Sequence, residues 1–273
     1  MQFSVLMSVY KNEKPEFLIQ SLKSVMEEQT VLPSEVILVQ DGPLTEQLYE
    51  AIDSLSATFE NLKVVNLPEN VGLGAALSYG MKFCSYEWIA RMDSDDIADP
   101  TRFEKQINYL ISNPQISVLG GAISEFGENI DDIRAIKYLP EKNEDIRKML
   151  KRRSPMSHVT VMFNKNAVIA AGGYQTMLYI EDYYLWARMI AMDFQMANLK
   201  DILVHVRVGN GMYARRGNRE YINSWKHLNI FMLNRSLISH TDLIINMILI
   251  KVFVFMPKSL KELLYRKVLR RKK

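Results

Sequence analysis

The sequence predicts an α/β protein: a doubly wound, mostly parallel sheet, completed by a second half and ending in C-terminal helices. Two observations predict this. Four continuous apolar runs of strand length fall in the first third, "FSVLMSVY" (3–10), "SEVILVQD" (34–41), "LKVVNL" (62–67) and "EWIARMD" (87–93). Continuous rather than alternating runs mark strands covered on both faces. Between them lie helical patterns, "PEFLIQSLKSVMEEQ" (15–29), "TEQLYEAIDSLSATF" (45–59) and "GLGAALSYGMKFC" (72–84). Strand–helix–strand repeated in this way builds a parallel sheet.

Past residue 100 the rhythm loosens. "DPTRFEKQINYLISN" (99–113) starts as a helix should, with Asp99 as cap and Pro100 in the first turn. A strand-like "ISVLGGAISEFG" (116–127) follows, then a polar stretch, 128–147. "SHVTVMF" (157–163) reads as a strand, and "EDYYLWARMIAM" (181–192) as a helix opened by two acids that suit its positive end. No Pro/Gly/Ser-rich linker or repeat interrupts the chain, so residues 1–240 read as one domain, with halves 1–99 and 100–240, followed by a distinct segment, 241–273.

Composition sets bounds. The 273 residues are 48% hydrophobic and 24% charged, which is ordinary for a globular protein with a real core. The lone cysteine, Cys84, makes neither an internal disulfide nor a zinc cluster and suits a reducing cytosol. "MQFSVLMSVY" lacks the basic front and small-residue cleavage site of a signal peptide and reads as a buried strand. Residues 257–273 hold eight Lys/Arg and one acid, a charge of +7; the chain's formal +3 therefore leaves −4 for residues 1–256. An acidic body argues against nucleic acid as partner.

The first strand ends at Tyr10, the second at Asp41 and the fourth in "MDSDD" (92–96), so all three fall at carboxyl ends, where such sheets bind ligands. Asp93, Asp95 and Asp96 are like charges crowded together and call for something positive. Asp often caps turns, which accounts for one or two of them. A calcium loop fails, because Ile97 and Ala98 stand at its fifth and sixth positions. A phosphatase-type nucleophile would follow the first strand, not the fourth. The remaining reading is a hard divalent cation, Mg²⁺ or Mn²⁺, shared between carboxylates and substrate phosphates.

With these residues in view, the chain resembles the family 2 glycosyltransferases of GT-A fold over roughly residues 3–217. The likeness rests on "SVYKNE" (8–13), "VQDG" (39–42), "NLPENVGLGAA" (66–76), "MDSDD" (92–96) and "YIEDYYLWARM" (179–189), in this order and spacing. The resemblance implies a nucleotide-binding first half, 1–99, and an acceptor-binding second half. It implies that Tyr10 lies near a uracil ring and that Asp41 accepts a base N–H. Glu13, Asn70, Gly72 and Gly74 would lie along the donor nucleotide. Asp93 would meet the ribose or the metal, Asp95 would ligate Mn²⁺ or Mg²⁺, and Asp182 would be the catalytic base. Glu181, Arg207, Arg215 and Arg216 are candidate phosphate or acceptor contacts.

Three departures matter. Gln40 replaces the first of two strand-end acids common in the family. Gly209 stands where many members carry a metal-reaching histidine, and the nearby His205 reads as a strand residue. The Q-x-x-R-W motif of processive synthases is absent, which points to one sugar per encounter. The likeness implies transfer from a UDP-sugar to a lipid-linked saccharide in bacterial surface polysaccharide assembly, and most narrowly a β-1,3-galactosyltransferase on GlcNAc-diphosphoundecaprenol. A nucleotidyltransferase, or a catalytically silent nucleotide-sugar-binding protein, would share the fold class. "LIINMILIKVFVFMPKSLKELLYRKVLRRKK" (243–273) begins with fourteen mostly apolar residues broken by Asn246 and Lys251, too short for a membrane span. It reads as an interfacial helix with a polybasic end, holding the protein on an anionic cytoplasmic membrane face.

Overall fold

The computed structural model describes residues 1–208 and 219–256. Strands β1 (Phe3–Val9), β2 (Glu35–Gln40), β3 (Leu62–Asn66) and β4 (Trp88–Arg91) lie parallel in the order β3-β2-β1-β4. Helices α1 (Pro15–Met26), α2 (Glu46–Thr58) and α3 (Leu73–Gly80) connect them. Side chains alternate between two cores: Leu6, Ile37, Val39 and Ile89 enter one with α3, while Val5, Met7, Val36 and Leu38 enter the other with α1 and α2. Burial on both faces is why these strands read as unbroken apolar runs. Pro15 opens α1, where its missing N–H costs nothing, and Thr45 caps α2 by accepting the Leu48 amide at 3.4 Å.

The second half extends the same sheet. It contributes β5 (Ile97–Ala98), α4 (Arg102–Ser112), β6 (Ile116–Phe126), β7 (Ile133–Lys137), α5 (Asn143–Leu150), β8 (Met162–Asn164), α6 (Lys165–Ala170), α7 (Glu181–Ala191), β9 (Gln195–Arg207), α8 (Arg219–Asn234) and α9 (His240–Phe255). β8 lies antiparallel between β4 and β6; β6 then pairs in parallel with β9, whose far edge takes β5. The architecture is the mixed α/β arrangement with a mostly parallel core sheet that the sequence predicts.

Three elements differ from the sequence reading. α4 starts at Arg102 rather than beside Asp99, because residues 97–99 are held extended against β9, the Asp99 amide donating to the Leu203 carbonyl at 2.9 Å. The polar stretch 128–147 contains β7, a hairpin partner of β6, and the start of α5. Residues 158–160 form a single 3₁₀ turn before the short β8, since the Thr160 hydroxyl donates back to the Ser157 carbonyl at 2.8 Å.

α9 packs on α8 through an inward face containing Asn246, Ile250 and Val254. Asn246, which interrupts the apolar run in the sequence, donates to Asn229 Oδ1 at 2.6 Å and to the Lys151 carbonyl at 2.9 Å. A capping box of Ser239 and Asp242 starts the helix. Hydrogen bonds from Ser239, with Arg152 nearby, hold the Asp242 carboxyl down to about 2. Among the described residues no helix is long and apolar enough to cross a membrane.

Candidate active site

Because β1, β2 and β4 are parallel, Tyr10, Asp41 and the 92–96 turn emerge at one edge of the sheet. Asp41 is buried, and its carboxylate accepts from the Val71 amide at 2.7 Å, the Gly72 amide at 3.1 Å and Asn70 Nδ2 at 2.9 Å. It thereby pins the loop ahead of α3 to the end of β2. Gly42 makes the approach possible: its φ is +82°, and a Cβ there would sit 2.5 Å from the Asn70 amide nitrogen.

In the acidic turn, carboxylate oxygens of Asp93, Asp95 and Asp96 lie within 4.8 Å of one another. One positive charge is supplied by the chain itself. Arg91, fully buried at the end of β4, forms an ion pair with Asp93. Burial works against its charge, but Asp93 outweighs that and raises its pKa. Burial pushes the Asp95 carboxyl up to about 7, with the charges of Asp93 and Glu13 adding to it. Asp96 is held well above the carboxylate range by burial and by its two acidic neighbours, although the Arg207 amide donates to it at 2.8 Å. Glu13 Oε2 accepts from Ser94 Oγ at 2.6 Å, and Ser21 Oγ donates to the Asp93 carbonyl at 2.7 Å, so α1 and the loop before it brace the turn.

Arg207 braces it from the other side. Its guanidinium stacks on Phe17 at 3.9 Å and on Phe126 at 4.7 Å, and donates to the Asp95 carbonyl at 3.1 Å and to Gln20 at 2.7 Å. Asp95 and Asp96 are held toward the protonated form, as expected of crowded acids with only one arginine between them, and an all-oxygen donor set of this kind fits a hard divalent ion. Asp95 and the partly exposed Asp93 would hold it; Asp96 faces inward. His205 is not part of the group: its Nδ1 shares a 2.6 Å hydrogen bond with Ser124 Oγ.

A further pair of acids stands at the start of α7. Glu181 and Asp182 occupy its first turn, where the helix's positive end favours carboxylates. Tyr179 at φ 65° bends the chain into it. Gly74 admits Glu181, whose Cβ would be 3.4 Å from a Cβ built on the glycine. Ser154 Oγ donates to Asp182 Oδ2 at 3.4 Å. The buried Tyr174 phenol bonds His158 Nε2 at 2.8 Å. Burial raises the Tyr174 pKa, Arg91 opposes, and the charges of Asp182, Glu181 and Asp93 add to the rise. One phenol therefore feels the charge of acids from both stretches of the sequence.

The structure thus groups Glu13, Asp93 and Asp95, joins Asp41 to Asn70 and Gly72, and sets Gly74 against Glu181. Arg215 and Arg216 lie outside the described residues. Sequence reasoning missed Arg91 and the His158–Tyr174 pair. Arg91 had a signal: it stands two before Asp93 at a strand's end, so both side chains leave the same face. Tyr174 and His158 had none, since each reads as an ordinary core residue.

Comparison with known proteins assigns the chain to a family. Residues 4–177 match the family model "Glycosyl transferase family 2". The UDP-Gal:alpha-D-GlcNAc-diphosphoundecaprenol beta-1,3-galactosyltransferase of Escherichia coli is 36% identical over 271 residues, covering 99% of this chain and 97% of that protein. The amylovoran biosynthesis glycosyltransferase AmsE of Erwinia amylovora is 44% identical over 222 residues, 81% of this chain and 82% of AmsE. In fold, S. aureus TarS 1-349 in complex with UDP-GlcNAc superposes with a TM-score of 0.69 at 18% identity, over 98% of this chain and 76% of TarS 1-349. The mannosyltransferase PcManGT of Pyrobaculum calidifontis, in complex with GDP-Man and Mn2+, gives 0.62 at 15%, over 92% of this chain and 69% of PcManGT. With the family model spanning well over half its length, and relatives this similar along nearly all of it, the chain belongs to glycosyl transferase family 2.

Proposed function

We propose that this glycosyltransferase is metal-dependent and inverting, and moves one sugar from a UDP-sugar to a lipid-linked saccharide in bacterial surface polysaccharide assembly. The narrow form of the proposal is β-1,3-galactosyl transfer to GlcNAc-diphosphoundecaprenol, the reaction named for the E. coli relative. The observation that supports it is that the clustered 93–96 acids and the Glu181–Asp182 pair both act electrostatically on the buried Tyr174.

In this reading the uracil stacks by Tyr10, and Asp41, held by the 70–72 loop, takes a base N–H with its remaining lone-pair capacity. Glu13, Asn70, Gly72 and Gly74 line the nucleotide path. Asp93 meets the ribose or the ion, and Asp95 ligates Mn²⁺ or Mg²⁺, which when bound supplies positive charge to the departing diphosphate. Arg207 acts by bracing the acidic turn. Asp182 accepts the proton of the acceptor hydroxyl as that oxygen bonds to the anomeric carbon and the bond to UDP breaks on the opposite face. Holding both substrates in one cleft supplies the rest. Glu181, with Arg215 and Arg216 from the segment following β9, completes the phosphate and acceptor contacts. Residues 241–273 hold the enzyme on the anionic cytoplasmic face of the membrane.

A nucleotidyltransferase reading lacks its glycine-rich triphosphate loop: β1 is followed by "YKNEKPEF". The test is a screen of UDP- and GDP-sugars with Mn²⁺ and a synthetic lipid-diphosphate acceptor, run with Asp182→Asn beside the wild type. A general base contributes about 10²–10⁴ in rate, so Asp182→Asn is expected to bind UDP as before and to lose transfer by that order. Transfer by the variant at the wild-type rate contradicts the assignment.

A further inference from the structure

α9 is apolar on both of its sides. Leu243, Met247, Ile250, Phe253 and Val254 pack inward around Asn246, whereas Ile244, Ile245, Ile248, Leu249, Val252 and Phe255 all face outward, Phe255 being 78% exposed. At 3.6 residues per turn these six fall on one side of the helix. A helix on a water-facing surface normally turns a polar face outward, and contiguous apolar exposure of this kind marks a contact surface. Ile230 of α8 is also exposed, and Lys226 and Lys251 border the groove between the two helices.

We propose that the outward face of α9, with Ile230 of α8, is a rigid docking surface for an anionic lipid bilayer, and that it fixes the direction from which a lipid-linked acceptor reaches Asp182. The proposal rests on the membrane reading given above and deepens it: the surface belongs to the folded body and is not a tether. Charge selects the occupant. The chain leaves α9 for residues 257–273, which carry eight Lys/Arg and one Glu. A bilayer with anionic headgroups receives both parts, the apolar face at the acyl boundary and the cations at the phosphates. A second copy would bring two such basic runs together.

The link to the site is short. Arg152 donates to Asp242 Oδ1 at 2.5 Å and to Asn246 Oδ1 at 3.0 Å, gripping α9, and two residues later Ser154 Oγ meets Asp182 at 3.4 Å. Excising 243–273 would remove Asn246, Ile250 and Val254 from the core, so point substitutions on the outward face are the proper probe.

The full chain is sedimented with phosphatidylcholine vesicles and with vesicles containing a quarter phosphatidylglycerol. Wild type is expected to partition to the anionic vesicles, less so at high salt. The double variant Ile248→Asp, Phe255→Asp should partition roughly tenfold or more weakly, since burying one such side chain is worth more than a tenfold change, with melting and UDP binding unchanged. Replacing Arg270, Arg271, Lys272 and Lys273 by Gln should remove the preference for phosphatidylglycerol. A double variant that partitions like wild type overturns the proposal, whether residues after 256 cover the face or nothing does. So does a lipid-free dimer of the wild type that the double variant dissociates without change in vesicle binding. Sugar transfer is assayed separately, so failure of the donor reading and failure of the docking surface are told apart.

Discussion

Arg91 and Asp93 leave one face of β4, and their pairing explains how three crowded carboxylates persist at the end of a buried strand. Removing one partner of a fully buried ion pair typically costs about 3–5 kcal/mol, but Asp93 is 37% exposed, so water takes over part of the role of Arg91. Arg91→Met is therefore expected to destabilise the protein by less than that in urea titration; a change within experimental error would mean that Asp93 does not depend on this arginine. Asp95→Ala is expected to abolish the Mn²⁺-dependent part of UDP affinity in calorimetry, and equal affinity with and without the ion would remove Asp95 as a ligand. At this scale the acids were legible because Asp in a tight cluster at a strand's carboxyl end has few structural uses. The arginine was passed over despite its place two before Asp93, because a single cation inside an apolar run looks like the strand's exposed end. In the fold it is the fully buried counter-charge.

Loops and helices place these residues, and here backbone geometry decides. Gly42, at φ +82°, lets the 69–72 loop lie on β2, and Asp41 then fastens it. A side chain forced into that region costs about 1–3 kcal/mol. Gly42→Ala should lower the melting temperature and weaken UDP binding together; weakened stability with unaltered UDP affinity would separate the loop from the nucleotide path. The first four strands were readable from their continuous hydrophobicity. β7, "IRAIK", was not, because a hairpin partner on the sheet's margin has mixed exposure and no long apolar run. The 3₁₀ turn at 158–160 was hidden by β-branched residues whose preference for strands is overridden by the Thr160 hydroxyl bonds. Asn246 read as an interruption of a membrane-seeking helix, yet it is the inward anchor of α9, and only the partner residues Asn229, Lys151 and Arg152 reveal that.

Over the whole molecule, titration links the site to stability with opposing signs. Burial, with Arg91 nearby, holds His158 neutral in the fold well below the ordinary 6.5, whereas the unfolded chain's imidazole takes up a proton below that value. The unfolded state then binds the extra proton, so this residue lowers stability as pH falls through 6.5. Asp95 acts the other way: with a folded pKa of about 7 against an ordinary 3.8, the fold binds the extra proton and loses stability as pH rises between them. Subtracting the stability profile of His158→Gln from that of wild type should isolate the first slope; parallel profiles would show that folding does not shift the titration of His158. Mn²⁺ should raise the melting temperature more at pH 8 than at pH 5.5, because ligation requires the deprotonated carboxylate. The parallel sheet and the site's edge followed from strand–helix alternation, but the place of Glu181–Asp182 relative to the acidic turn did not, since spacing along a chain carries no distance across a cleft. A crystal structure of the protein with UDP and Mn²⁺ tests that placement directly. It should show an Asp95 oxygen at ligand distance from the ion, about 2.0–2.2 Å, and Asp182 facing the open side of the diphosphate. An ion bound away from Asp95, or Asp182 directed out of the cleft, would contradict it.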